Sequence, residues 1–146
     1  MAPIGATSGP TATDGAQRAD VELRVPADRA YASVLRTTTA GLAARLDFPI
    51  DDIEDLRIAV GEACAMVLEE AQHGTDLVCG FFQQPGELTV RVTGTVDGAI
   101  EPDHDSFAWQ VLTTLATSAT AEATDSTFTV TLSMTSSLRT HQEPGL

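Results

Sequence analysis

A carboxylate set on an otherwise apolar stretch of helix is the group in this chain best placed to do chemistry. Glu62 lies in the run Ile58-Ala59-Val60-Gly61-Glu62-Ala63-Cys64. Around it Ile53, Leu56, Val60, Ala63, Cys64, Val67 and Ala71 recur three or four residues apart, which predicts a helix with one stripe turned to a core. Glu62 sits just beside that stripe. A carboxylate at such an edge must be solvated, paired or used, because burying it bare is expensive or raises its pKa. The plain alternative is a half-exposed helix acid.

Other chemical groups are sparse. Cys64 and Cys79 are too few and too far apart in sequence for a zinc site, so buried reduced thiols are expected, with a redox pair as the alternative if the two lie side by side. His73, His104 and His141 fall near turn or tail residues without ligand spacing and read as surface groups. All 8 bases are arginine. The lack of lysine excludes a P-loop lysine and a Schiff-base lysine. A net charge of −13, from 21 acids against those bases, would repel a nucleic-acid backbone or an anionic membrane and favours a basic protein partner. No apolar run approaches the roughly 20 residues that span a bilayer, and no secretory signal is evident, so a cytoplasmic protein is expected.

The elements that must position these groups can be read from periodicity. A length of 146 residues suits one domain. Residues 1–19, rich in Gly, Ala, Thr, Ser and Pro, are expected to be a flexible tail, as are residues 139–146, leaving a domain over 20–138. Val21, Leu23 and Val25 alternate with charged residues as in a strand, which Pro26 stops. Asp28 can cap a helix to about Asp47, with Tyr31, Val34, Leu35, Thr38, Leu42 and Leu46 as its inward stripe. The helix of Glu62 should begin near Asp51 and Asp52 and run to about Gln72. Leu77 to Phe82, a turn at Gln84-Pro85-Gly86-Glu87, and alternating Leu88, Val90 and Val92 predict a hairpin.

Thr95 to Asp105 is turn-rich and acidic. Ser106 then precedes a short helix with Phe107, Val111, Leu112 and Leu115 inward and Trp109 on a flanking face. Residues 127–134 form a last strand, and residues 118–126 a further strand or merely a turn. The expected fold is a two-layer α/β (α+β) sandwich, a mostly antiparallel sheet covered on one face by three helices.

The order of elements, with Leu46-Asp47 closing the first helix and Ile58-Ala59-Val60-Gly61-Glu62-Ala63-Cys64 in the second, resembles the anti-sigma factors related to bacterial serine-protein kinases. These are members of the histidine-kinase-like ATPase superfamily with its Bergerat nucleotide fold. The resemblance spans about residues 21–135. It implies that Glu62 is the general base. The family's Mg²⁺-holding asparagine, four residues later, falls on Met66, whose thioether is a poor ligand for a hard cation. The family's adenine-reading aspartate falls on Val92, although a glycine follows at Gly94. The family's glycine-rich phosphate loop corresponds to Ser106-Phe107-Ala108-Trp109, so that Ser106 and Ala108 bring side chains where bare backbone is usual.

Such replacements predict weak or absent kinase activity and no bound cofactor, with Mg-ATP as cofactor only if the kinase function persists. The resemblance implies a bacterial, stress-linked regulator of transcription that sequesters a sigma factor and is released by an anti-anti-sigma protein. It also makes a homodimer possible, and places a partner-contacting arginine of the first helix at Arg36, with Arg29 two turns away. Ordinary solubilising charges are the alternative for both. Two other functions compete: an active serine-protein kinase that phosphorylates its antagonist, and a small-ligand sensor whose cleft is roofed by residues 95–105 and walled by Phe107 and Trp109.

Overall fold

The computed structural model describes residues 17–138. Most of the expected N-terminal tail and all of the expected C-terminal tail lie outside the described residues. Five strands and three helices follow in the order β1 (Val21–Pro26), α1 (Ala32–Arg45), α2 (Ile50–Glu70), β2 (Asp76–Gln84), β3 (Glu87–Thr95), α3 (Phe107–Leu115), β4 (Ser118–Ala123) and β5 (Thr127–Thr135). The strands form a single antiparallel sheet in the order β1-β2-β3-β5-β4. The two-layer sandwich is as expected, and residues 118–123 are a strand rather than a turn.

Two-residue alternation gives the sheet two unlike faces. Leu77, Cys79 and Phe81 of β2, Leu88, Val90, Val92 and Gly94 of β3, and Phe128, Val130, Leu132 and Met134 of β5 are buried beneath the helices. Their register is continuous, with Cys79 opposite Val92 and Val92 opposite Val130. The other face carries hydroxyls in cross-strand pairs, Thr89 with Ser133 at 2.6 Å and Thr93 with Thr129 at 3.0 Å. There the Arg91 guanidinium lies 4.6 Å from the centre of the Phe82 ring. The first described residues join this face: Ala19 lies against Gly80, and the Asp20 carboxylate accepts from the Gln83 N–H at 2.7 Å.

The joints between elements have identifiable causes. Helix α1 ends in a Schellman turn. Asp47 takes φ +62°, its N–H donates to the Ala44 carbonyl, and the Phe48 N–H donates to that of Ala43. Pro49 then leads directly into α2, whose first turn holds Asp51 and Asp52. The β2–β3 hairpin turns on Pro85 and Gly86, and the φ of +75° at Gly86 is the conformation that the third residue of a type II turn requires.

Helix α1 is rotated from the expected setting. Its buried residues are Leu35, Thr39 and Ala43, while Tyr31 and Val34 are exposed. The reason is fit against α2: the face that goes inward is the one whose small Thr39 and Ala43 allow a close approach, and the Thr39 hydroxyl is satisfied by donating to the Leu35 carbonyl at 2.7 Å. Asp28 does act as a cap, but of a single 3₁₀ turn over Arg29–Tyr31, where it accepts from the Ala30 N–H.

Helix α2 lies over the middle of the sheet, between α1 and α3, and presents Leu56, Ala59, Val60, Ala63, Cys64 and Val67 without exposure. Its seat is set by Gly94. A Cβ at that position would stand 2.6 Å from Val67 Cγ1, 3.4 Å from Leu77 and 3.5 Å from Ala71. Any side chain there would push the helix off the sheet. Cys64 and Cys79 enter the same core as free thiols. Burial pushes the Cys64 thiol up to about 12, opposed in part by the charge of Arg36, and burial followed by the neighbouring Cys64 raises Cys79 further.

Three outcomes follow from this core. Gly94→Ala is expected to lower unfolding free energy by roughly 1–3 kcal/mol in urea denaturation, and much of the loss should return in the Gly94→Ala, Val67→Ala double variant, because the clash is with the Val67 methyl. The thiols should be inert to a colorimetric thiol reagent at about pH 8 until denaturant is added. Because their folded pKa values are raised, the stability they contribute is complete below the ordinary thiol value of 9.0 and is lost as pH rises through about 12.

Candidate functional site

Sequence reasoning singled out Glu62, Met66, Val92, Gly94, Ser106 and Ala108, and the fold separates them into three environments. Met66, Ser106 and Ala108 converge. Together with Arg29, Ala65 and Glu69 they line a cleft of about 260 Å³ between α2 and the start of α3. Met66 is buried on the inner side of α2, one turn beyond Glu62. Ser106 caps α3 by accepting from the Trp109 N–H at 3.1 Å, so its hydroxyl already serves the first turn of the helix.

Val92 and Gly94 belong to the core. Val92 is fully buried in the middle strand of the sheet, between Cys79 and Val130. The bareness of Gly94 is used by Val67, so its role here is helix seating. Packing of this kind is legible only when the helix is placed above the strand, and nothing in the local sequence around residue 94 signals it.

Glu62 is half-buried on α2, and its carboxylate has no hydrogen-bond or ion-pair partner among the described residues. The single ion pair within 4 Å among those residues is Arg24 with Asp76, at 3.6 Å on the exposed edge of the sheet. Arg36 is closer to α2 than the sequence implied. A Cβ on Gly61 would be 3.4 Å from Arg36 Cδ and 3.7 Å from its guanidinium, so the side chain lies across α2 instead of projecting freely from α1. Gly61 makes this crossing possible. Arg29 is exposed at the mouth of the cleft.

The expected aromatic walls of a ligand cavity are placed otherwise. Phe107 is 77% exposed, turned away from the core rather than along an inward stripe. Trp109 is half-buried and meets the His104 ring edge-on at 4.8 Å. The physical reason is the cap: with Ser106 at the N-terminus, the first helical position points outward, and Leu112 becomes the buried anchor of α3.

The donor chemistry of the cleft is poorly matched to Mg²⁺. A hard cation takes several oxygen ligands, whereas the cleft offers one carboxylate, Glu69, and the Ser106 hydroxyl already engaged as a cap, beside the Met66 thioether, two alanines and the cationic Arg29. Among the described residues no three or more His, Cys, Asp or Glu side chains cluster as metal ligands would. Nor is any helix there long and apolar enough to cross a membrane. The volume also lies below the roughly 300–1,000 Å³ of pockets that enclose a small organic ligand.

No family model matches the chain. Curated proteins do. The serine-protein kinase RsbW of Bacillus cereus strain B4264 is 35% identical over 81 residues, which is 56% of this chain and 44% of that protein. The RsbW of Bacillus thuringiensis strain Al Hakam is 43% identical over 78 residues, 51% of this chain and 49% of its own length. That of Bacillus velezensis is 37% identical over 71 residues, 49% and 39% of the two chains. The matched part thus spans about half or less of each curated relative. Over the matched residues the chain is thus similar to serine-protein kinases, and its sandwich of three helices over one antiparallel sheet agrees with the fold expected from the resemblance of its second helix.

Proposed function

We propose that this domain is an anti-sigma factor that works by sequestration: it binds an RNA polymerase sigma factor, keeps it from the polymerase, and yields it to an anti-anti-sigma protein. Competition between two partners for overlapping surface, set by affinity and concentration, is sufficient for such a switch. No chemical step is needed.

The observation that carries this reading is the convergence of Met66, Ser106 and Ala108 on one small cleft. These are three positions where the family resemblance calls for an oxygen ligand or bare backbone, and the fold brings their side chains to one place. Phosphoryl transfer depends on placing the nucleotide and neutralising its charge, so Glu62 alone contributes little to it. The relatives carry the name serine-protein kinase, and a retained Glu62 is the feature that keeps that activity as the alternative outcome of the test. For partner contact, Arg29 is the exposed guanidinium of this pair, while Arg36 serves partly to hold α1 against α2.

Calorimetric titration with Mg-ATP should give no saturable heat, and ATP should leave the fluorescence of Trp109 unchanged. Mg-ATP-dependent phosphorylation of a serine on a copurified protein, abolished by Glu62→Gln, would overturn the sequestration mechanism. Tagged protein recovered from its host should bring down a sigma factor. With that partner in hand, Arg29→Glu is expected to weaken binding by roughly tenfold or more without shifting the urea midpoint. A comparable loss of stability in that variant would assign Arg29 to the fold instead.

A further inference from the structure

The two edges of the sheet are guarded unequally. On β1, Pro26 ends the strand, Glu22 and Arg24 project from it, and Arg24 pairs with Asp76. Those are ordinary protections against unwanted strand pairing. Strand β4 is the other edge, with the sequence Ser-Ala-Thr-Ala-Glu-Ala, and it has neither proline nor a basic residue. Its register against β5 runs without a bulge from Ser118 opposite Ser133 to Ala123 opposite Phe128.

The direction of its free backbone groups can be worked out. The Thr124 N–H donates to the Thr127 carbonyl at 2.8 Å, in register with the ladder, so Thr124 and Thr127 are a hydrogen-bonded pair. Such pairs alternate along antiparallel strands. Glu122, Thr120 and Ser118 therefore spend their backbone groups on β5. Ala123, Ala121 and Ala119 turn theirs outward. The side chains of these three alanines lie on the helix-covered face and pack against the core beside Leu115.

Charge specifies what fits. Between Arg91 and Arg139 the chain contains no lysine or arginine, but it contains Asp97, Glu101, Asp103, Asp105, Glu122 and Asp125. The loop after β3 is tied to the β4–β5 turn by Val96 N–H to the Ser126 carbonyl and Gly98 N–H to the Asp125 carbonyl. Asp97, Asp125 and Glu122 are consequently gathered, all exposed, at one end of the open edge.

We propose that the free edge of β4 is a strand-addition site for an extended segment of another polypeptide, bearing a lysine or arginine opposite Glu122 and apolar side chains at alternate positions. Backbone pairing to Ala119, Ala121 and Ala123 supplies the attraction, and the alternate apolar residues continue the layer beneath α3. The basic residue offsets the acids at the end of the strand. A second copy of this chain, itself strongly acidic, is a worse occupant. The site is independent of the sigma-binding reading and of the cleft at Met66.

The test uses a capped peptide of alternating valine and lysine, with an alternating valine and glutamate peptide as comparison, and reads backbone amide exchange by NMR. The basic peptide should slow exchange at Ala119, Ala121 and Ala123 by roughly tenfold or more, and the acidic one should not. Ala121→Pro removes an outward N–H without touching the ladder to β5, so it should abolish protection while the urea midpoint stays near that of the parent. Glu122→Lys, which leaves the backbone intact, should reverse the peptide preference and carries the test if the proline variant fails to fold. Protection nowhere, protection at β1, or protection indifferent to both substitutions would overturn the proposal. So would concentration-dependent protection of these amides without peptide, which would give the edge to a second copy.

Discussion

The contact between Gly94 and Val67 fixes the height of α2 above the sheet, and most of the molecule is arranged around that helix. Its inner face closes the core over Val90, Val92, Val130 and Leu132. On its flanks it receives α1 and α3. Gly61 admits the stem of Arg36, so two glycines, one on the sheet and one on the helix, set how closely α2 meets its neighbours. Close packing of this sort is unforgiving, because interiors as dense as organic crystals transmit a displacement instead of absorbing it.

The same helix carries the residues with chemical interest, which explains how they can change without loss of the fold. Met66 lies toward the start of α3, off the Leu56, Val60 and Val67 line that bears on the sheet, and Glu62 is half-buried one turn before it. A cleft wall can therefore be rebuilt while the seat of the helix stays the same. The seat of the helix and the wall of the cleft are on different sides of one element, and similarity to kinases does not by itself bring phosphoryl transfer with it.

Most of the architecture was legible because period and punctuation agreed. The hairpin at Pro85-Gly86 and the alternation in residues 127–134 were read with correct register of inward residues, and the helix of Glu62 began and ended within a few residues of Ile50–Glu70. Helix α1 was harder, since Tyr31, Val34, Leu35, Leu42 and Leu46 are spread around it and the buried side is chosen by small residues. Strand β4 gave almost no signal because its inward positions are alanines, which favour helices over strands and mark no apolar alternation. The grouping of Met66 with Ser106 and Ala108 came from the resemblance, whereas the burial of Val92, the seat at Gly94 and the crossing of Arg36 over Gly61 needed tertiary structure.

The hydroxyl-rich outer face of the sheet has a further implication. In β3 and β5 every odd-numbered position is threonine, serine or arginine apart from Glu87 at the start of β3, and every even-numbered one from Leu88 on is core, with Gly94 as the gap for Val67. A one-residue insertion or deletion inside either strand would exchange the two sets, drive a row of hydroxyls under α2 and lift valine and leucine into water. Length changes are consequently confined to the connections, above all residues 96–106, and descendants of this gene can lengthen or trim that loop while the two middle strands keep their residue count.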